Sequence, residues 1–556
     1  MNQLFFGDNL DVLRESIRDE SVDLIYLDPP FNSSTTYNVL FASPKGHQSH
    51  AQIEAFEDTW HWTEQAEREF GELLTQTNTN VAEVMRALRQ FLGENDMMAY
   101  LTMMANRMLE LDRVLKPKGS LYLHCDPTAS HYLKIVMDGV FGPTNFRTEI
   151  SWRRQSAHND AKQGRRQYGN VRDTIFFYTK SDEWTWNPQY TPYDEGYVRD
   201  FYKYAEPGAN RRYRLSDITA PGGASPEKRN PHYEFLGVTR YWRYSRERME
   251  ELHKEGRIVQ TAPGNVPAYK RYLDEMPGVS LQNEWDDIQP VMGGEALGYP
   301  TQKPVALLER IISASSNAGD VVLDPFCGCG TAVHAAQKLQ RGWIGIDLTH
   351  LAISLIEKRL RDAFPGIVFE VHGTPKDYDG ARDLAERDKY QFQWWACSLI
   401  NAQPYAGKKK GADGGIDGLI FFQDEARAGI SKKIVVSVKG GENVGVTMVK
   451  DLIATCARQK AEIGLFVTLN LPTKPMLAEA SAAGFYTSPV TGTKFPKIQL
   501  LTIEDLIAGK QTARYPSLDA GGLTFKKAQV EQGEDKQHDL FAAPAKSPRK
   551  RKPAKG

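Results

Sequence analysis

Cysteine is scarce in this chain, and what there is has no partner. Cys125, Cys327, Cys329, Cys397 and Cys456 include no Cys-x-x-Cys pair. The odd number and the isolation exclude a disulfide scaffold and point to reduced thiols in a cytosol. Cys327 and Cys329 stand one residue apart inside a glycine bend, with no second pair to complete a tetrahedral set, which argues against zinc. An excess of one charge is also lacking. Sixty-nine Lys and Arg against 70 Asp and Glu leave a net charge of -1, so any grip on nucleic acid must come from a local basic face. Long apolar runs are missing too. No stretch approaches the roughly 20 residues of a membrane span. Met1-Asn2-Gln3-Leu4-Phe5-Phe6-Gly7-Asp8 lacks the charged start and apolar core of an export signal. The expectation is a soluble cytoplasmic protein with no membrane role. No internal repeat is visible.

What is present is length and alternation. At 556 residues the chain exceeds a single core, since cores stop growing near roughly 250–300 residues. Residues 22–28, Val-Asp-Leu-Ile-Tyr-Leu-Asp, read as a buried parallel strand stopped by Pro29-Pro30. Apolar spacing predicts helices over about 10–17, 98–114 and 129–138. Lys116-Pro117-Lys118-Gly119 breaks the pattern ahead of a strand at Leu121-Tyr122-Leu123-His124. Alternation resumes with a helix at 305–316, a strand at 321–326, a helix at 332–341, a strand at 343–348 and a helix at 350–363. Such alternation predicts an α/β sheet with helices on both faces. Between about 145 and 290 helical periodicity fades, and aromatics and turns accumulate. Within 151–180, Arg153, Arg154, Lys162, Arg165, Arg166, Arg172 and Lys180 outweigh the acids, a composition suited to gripping phosphates and stacking bases. The segment 45–95, with Phe56-Glu57-Asp58-Thr59-Trp60-His61-Trp62, is an insertion to which no motif gives a role.

Two runs carry chemistry. Asp28-Pro29-Pro30-Phe31 ends a strand with a carboxylate, a carbonyl, a stiffened turn and an aromatic ring. An exocyclic amino nitrogen has its lone pair delocalised into the base. Hydrogen bonds from its N–H groups to Asp28 and to the Pro29 carbonyl favour a pyramidal, nucleophilic nitrogen, Pro30 holds the turn rigid, and Phe31 stacks on the base. The second run, Val321-Val322-Leu323-Asp324-Pro325-Phe326-Cys327-Gly328-Cys329-Gly330-Thr331, is a strand entering a glycine bend. Gly328 and Gly330 let a ligand approach the backbone at the strand's C-terminal edge. Gly342-Trp343-Ile344-Gly345-Ile346-Asp347 follows, with Asp347 at the end of the next strand.

Together these runs, with Gly7-Asp8-Asn9 and Tyr299-Pro300-Thr301-Gln302-Lys303-Pro304, resemble the beta class of DNA amino-methyltransferases over roughly residues 1–365. The resemblance implies a Rossmann-like sheet with an inserted target-recognition region. It also implies S-adenosylmethionine as methyl donor, double-stranded DNA as partner with a homodimer left open, and a base flipped into the pocket. It places Asp8, Lys303, Asp324, Phe326, Gly328, Gly330, Thr331 and Asp347 around the donor, with Asp347 on the ribose hydroxyls and Lys303 at the methionine end. A helix cap for Asp8 is the competing role. The form DPPF is commoner among enzymes acting on adenine, and cytosine stays as the alternative.

From about 385 a separate unit begins. Gly411-Ala412-Asp413-Gly414-Gly415-Ile416-Asp417-Gly418 and Ile434-Val435-Val436-Ser437-Val438-Lys439 resemble the Mrr-like branch of the restriction-endonuclease fold. That likeness implies Asp417 holding a magnesium ion, with Lys439 steadying the nucleophile. Ser437 departs from the pattern, because a hydroxyl is a poorer ligand than a carboxylate. Cleavage, non-cleaving DNA binding and a purely structural turn all remain open. The expected organisation is therefore a methyltransferase domain over 1–375 with its insertion at about 145–290, a smaller α/β restriction-endonuclease-like domain over 385–512, and a disordered basic tail over 515–556.

Overall fold

The structure is a computed structural model. It describes residues 2–30, 36–42, 48–57, 61–155, 166, 168–208, 211–220, 230–297, 299, 301–405, 415–425, 431–516 and 528–531, with backbone alone over 36–42 and 48–57. Phe31, Lys162, Arg165 and most of the basic tail lie outside the described residues. The chain forms two compact units, Met1–Asn187 with Asn283–Gly533, and Pro188–Gln282.

A nine-stranded sheet organises the first unit. Its strands in chain order are β1 (Gln3–Phe6), β2 (Val22–Leu27), β3 (Leu115–Cys125), β4 (Phe146–Arg153), β5 (Arg172–Thr179), β6 (Glu284–Trp285), β7 (Val321–Asp324), β8 (Gly342–Asp347) and β9 (Glu370–His372). Their order across the sheet is β6-β4-β5-β3-β2-β7-β8-β1-β9. The stretch from β3 to β9 is parallel, and β5 turns antiparallel against both β3 and β4. Such a sheet must be covered on its faces, so its strands read as near-continuous apolar runs. Leu24, Ile25 and Leu27 of β2 are fully buried, as are Leu121 and Leu123 of β3. The helix Asp96–Val114 is buried along most of its length, which explains a sequence apolar on nearly every side.

Two expectations change in detail. The break at Lys116–Gly119 is not a loop. β3 begins at Leu115, and the mismatch is absorbed by an irregularity where Val22 pairs with Leu115 and Leu24 with Ser120. The insertion expected over about 145–290 also divides. β4, β5 and β6 belong to the central sheet, and Pro188–Gln282 forms the second unit. Several cations read as phosphate contacts are already engaged: Arg154 with Asp173, Arg172 with Glu284 and Lys180 with Asp112. Arg153 and Arg166 are exposed.

The second unit has a four-stranded sheet and a small core of Ile218, Phe235, Trp242, Met249, Leu252 and Ile258. Its aromatics stack among themselves, as in Tyr197 with Phe201 and Tyr204 with Tyr213.

Within the first unit a further five-stranded sheet holds β10 (Gln403–Pro404), β11 (Gly418–Gln423), β12 (Ser431–Lys439), β13 (Ile463–Thr468) and β14 (Ile498–Thr502), in that order. Along β12, Ile434, Val436 and Val438 enter one apolar cluster and Val435 enters another, the period-two pattern of a sheet buried on both faces. Among the described residues, no helix is long and apolar enough to cross a membrane.

Candidate active site

The site lies where the strand order reverses. β2 and β7 are neighbours, with Leu24 opposite Val322 and Ile25 opposite Leu323. From β2 the chain proceeds to β3 on one side, and from β7 to β8 on the other. Ligands of open α/β sheets bind beyond the strand ends at such a switch point. A cavity of about 660 Å³ opens there. It is lined by Asp8, Asp28, Pro29, Pro30, Lys303, Asp324, Phe326, Gly328, Thr331 and Asp347, so residues far apart in sequence share one chamber. Gly330 joins Cys329 to Thr331, both of which line the wall.

The half around β7 and β8 is built by backbone geometry. The buried Asp324 accepts a hydrogen bond from the Phe326 N–H at 3.1 Å, and burial pushes its carboxyl well above the usual range. Gly328 and Gly330 have φ of +54° and +77°, a region that L side chains rarely enter. A Cβ on Gly330 would also stand 2.9 Å from Ile356 Cγ1. The Gly328 N–H donates to Asp347 Oδ2 at 2.9 Å, and Thr349 donates to Oδ1 from its N–H and its hydroxyl. Burial nevertheless pushes Asp347 up to about 6. The buried Arg359 reaches beneath the bend, donating to the Cys329 carbonyl and the Thr331 hydroxyl, both at 3.1 Å.

Asp8 has both of its expected roles. It caps the helix Asn9–Ser16 by accepting from the Leu10 N–H at 2.8 Å, and its carboxylate faces the cavity while bound by Arg107. Asn9 ties this corner to the other half by donating to the Pro325 carbonyl at 2.8 Å.

Asp28 stands at the end of β2, where the prolines forbid another ladder bond. Lys303 Nζ donates to Asp28 Oδ2 at 2.6 Å. The resemblance puts Lys303 at the methionine end of the donor; here its ammonium is on the carboxylate of the DPPF run. Behind Asp28, Tyr26 Oη lies 2.9 Å from His124 Nδ1, and His124 Nε2 lies 3.0 Å from Asp173 Oδ2. Burial would raise Asp173, but the bond from His124 and the nearby Lys303 and Arg154 outweigh it and hold the acid low. Tyr26 also lines the cavity. Sequence reasoning missed this line of side chains, because His124 and Asp173 meet only through the β3–β5 pairing.

The insertion at 45–95 gains a position. His61, Thr63, Gln65, Ala66 and Glu69 line the cavity, and Thr63 caps the helix Glu64–Leu74. The Glu69 carbonyl accepts from Asn106 Nδ2, which fixes this helix to Asp96–Val114.

In the C-terminal sheet, Asp417 and Lys439 do come together, 3.4 Å apart. The carboxylate is occupied from within. Oδ2 accepts from the Val438 N–H at 2.7 Å and from Ser437 Oγ at 3.3 Å, and Oδ1 accepts from Gln393 Nε2 at 3.1 Å. Among the described residues, no group of three or more His, Cys, Asp or Glu is placed to hold a metal ion. The expected magnesium site is thus not supported, for a physical reason: the position that would supply a second carboxylate is Ser437, whose hydroxyl serves Asp417 instead.

The switch-point cavity thus joins a proline-stiffened acid after one strand to a glycine bend after the next. Residues 22–358 match the family described as DNA methylase. The chain belongs to this family, and its activity is methyl transfer to DNA. It is 29% identical over 369 residues to the Type II methyltransferase M.EcaI of Enterobacter cloacae, covering 64% of this chain and 69% of that protein. Over 357 residues it is 26% identical to the Mod subunit of the Type III restriction-modification enzyme StyLTI of Salmonella typhimurium, covering 61% of this chain and half of that one. Among solved structures, a DNA modification methylase from Thermus thermophilus complexed with S-adenosyl-L-methionine matches at 16% identity, covering 67% of this chain and 99% of that chain with a TM-score of 0.32. Residues 399–508 match the family described as NACHT-associated inactive restriction endonuclease.

Proposed function

We propose that the enzyme methylates the exocyclic amino group of adenine in double-stranded DNA, using S-adenosylmethionine. The observation that carries this reading is the single cavity shared by Asp28, Asp324 and Asp347 at adjoining strand ends. The chamber suits the donor. Its volume falls within the range of small-molecule sites, roughly 300–1,000 Å³, and Gly328 of the glycine bend lines its wall. Asp347 keeps acceptor capacity for ribose hydroxyls beside its internal bonds. S-adenosylmethionine supplies a methyl on a sulfonium sulfur, which departs as a neutral thioether.

Asp28 and the Pro29 carbonyl accept the two amino N–H bonds and turn the nitrogen lone pair toward the methyl carbon. The nitrogen–carbon bond forms as the carbon–sulfur bond breaks, and the surplus N–H proton leaves to solvent. Phe31, outside the described residues, is assigned the stacking role from its place in the motif. Adenine is preferred because the motif begins with Asp. Target reading is assigned to residues 188–282, whose arginines and tyrosines suit phosphate and base contacts.

The test is Asp28→Ala. Methyl incorporation into DNA should vanish while calorimetric binding of S-adenosylmethionine persists; equal loss of both would contradict the division of roles.

A further inference from the structure

We propose that Lys303 is the positioning residue for the Asp28 carboxylate, and that its contribution is to the methyl-transfer step, not to holding the donor. The inference rests on the reading of Asp28 given above.

The other aspartates of the cavity each accept a backbone N–H from two residues further on, Asp8 from Leu10, Asp324 from Phe326 and Asp347 from Thr349, and Gly328 of the neighbouring bend also donates to Asp347. Asp28 is followed by two prolines, which have no N–H to give. The same residues that stiffen the turn therefore remove the usual means of fixing its carboxylate. Among the described residues, Lys303 Nζ supplies the hydrogen bond, to Oδ2 at 2.6 Å. Lys303 is itself 8% exposed, and it precedes Pro304, which restricts its backbone and starts the helix Val305–Ser315. Its ammonium also leans on the Thr301 carbonyl at 3.4 Å. One oxygen of Asp28 is thereby held; among the described residues the other has no hydrogen-bond partner, so it can accept the amino N–H.

Charge supports the same assignment. Asp8, Asp28, Asp324 and Asp347 all face the cavity, and the Lys and Arg side chains lining it are Arg107 and Lys303. Arg107 is committed to Asp8. Lys303 sets its ammonium against Asp28, so that Asp28 meets the incoming amino group as an oriented acceptor.

The experiment uses the full chain with Lys303→Met and Lys303→Arg, measuring single-turnover methyl transfer at saturating S-adenosylmethionine together with its Kd by calorimetry. Lys303→Met should slow the transfer by about 10²–10³-fold, the usual cost of a lost preorganised donor, with Kd changed by less than about threefold. Lys303→Arg, which keeps the charge, should lose less. Binding heat shows that each variant is folded. An unchanged single-turnover rate overturns the proposal. So does a rate restored at saturation with Kd raised tenfold or more, which would return Lys303 to the methionine end. An active Asp28→Ala variant in the same assay would instead sink the reading of Asp28 itself, whatever Lys303→Met does.

Discussion

Titrating donor binding between about pH 5 and pH 8 isolates Asp347. Burial pushes this carboxyl up to about 6 even though Gly328 and Thr349 donate to it. The gap from an ordinary Asp near 4 corresponds to about 3 kcal/mol of burial cost in the ionised form. The sign for stability follows from linkage. Between the unfolded and folded values the native chain holds more protons than the unfolded one, so this group's penalty is full above about pH 6 and fades as pH falls toward 4. Binding runs the other way, because ribose hydroxyls need an ionised acceptor. At about pH 5 roughly one molecule in ten retains the carboxylate, and the Kd for S-adenosylmethionine should be about tenfold weaker than at pH 8. Calorimetry on the wild type and on Asp347→Asn checks both. The variant should bind about 10–100-fold more weakly at pH 8, as expected for losing a hydrogen bond to a charged group, and its affinity should not change over this range. A wild-type Kd that is flat from pH 5 to 8, or a variant that keeps the pH dependence, would refute the reasoning.

Gly330→Ala should cost about 1–2 kcal/mol from the left-handed backbone and a further 1–3 or so from crowding Ile356. Thermal unfolding should register the loss as a lower Tm, and donor binding should weaken with it. Asp417→Ala strands the Val438 N–H and the Gln393 amide, and should destabilise the chain by about 1–3 kcal/mol in chemical denaturation. Plasmid DNA incubated with magnesium and either protein should stay intact; nicking by the wild type that Asp417→Ala abolishes would restore the metal-site reading.

The residues legible in advance were those whose chemistry is local. Asp28-Pro29-Pro30 must end a strand, and Gly328 and Gly330 must bend, whatever surrounds them. The positions of Asp324 and Asp347 at strand ends follow from the apolar runs before them. Partners across the sheet were not legible. Nothing in Tyr299–Pro304 says that its lysine meets an acid 275 residues away, and nothing near His124 names Asp173. The wall from His61 to Glu69 was equally hidden. Its helix shows ordinary amphipathic spacing, and which exposed positions face a cavity depends on where that helix docks. The basic stretch at 151–180 shows a related limit. Composition counts cations without showing that Arg154 and Arg172 already face acids on neighbouring strands or at the sheet's edge.

The position of β1 has a consequence for biosynthesis. Gln3–Phe6 pairs with Ile344–Asp347 on one side and with Glu370–His372 on the other. A ribosome therefore releases this strand hundreds of residues before either neighbour exists, and it must wait as an unzipped apolar ribbon. Long-range closure of this kind is slow and exposes the nascent chain to association. Chains arrested short of residue 372 should accordingly be aggregation-prone and sought by chaperones, and the enzyme should mature only after most of its length has emerged.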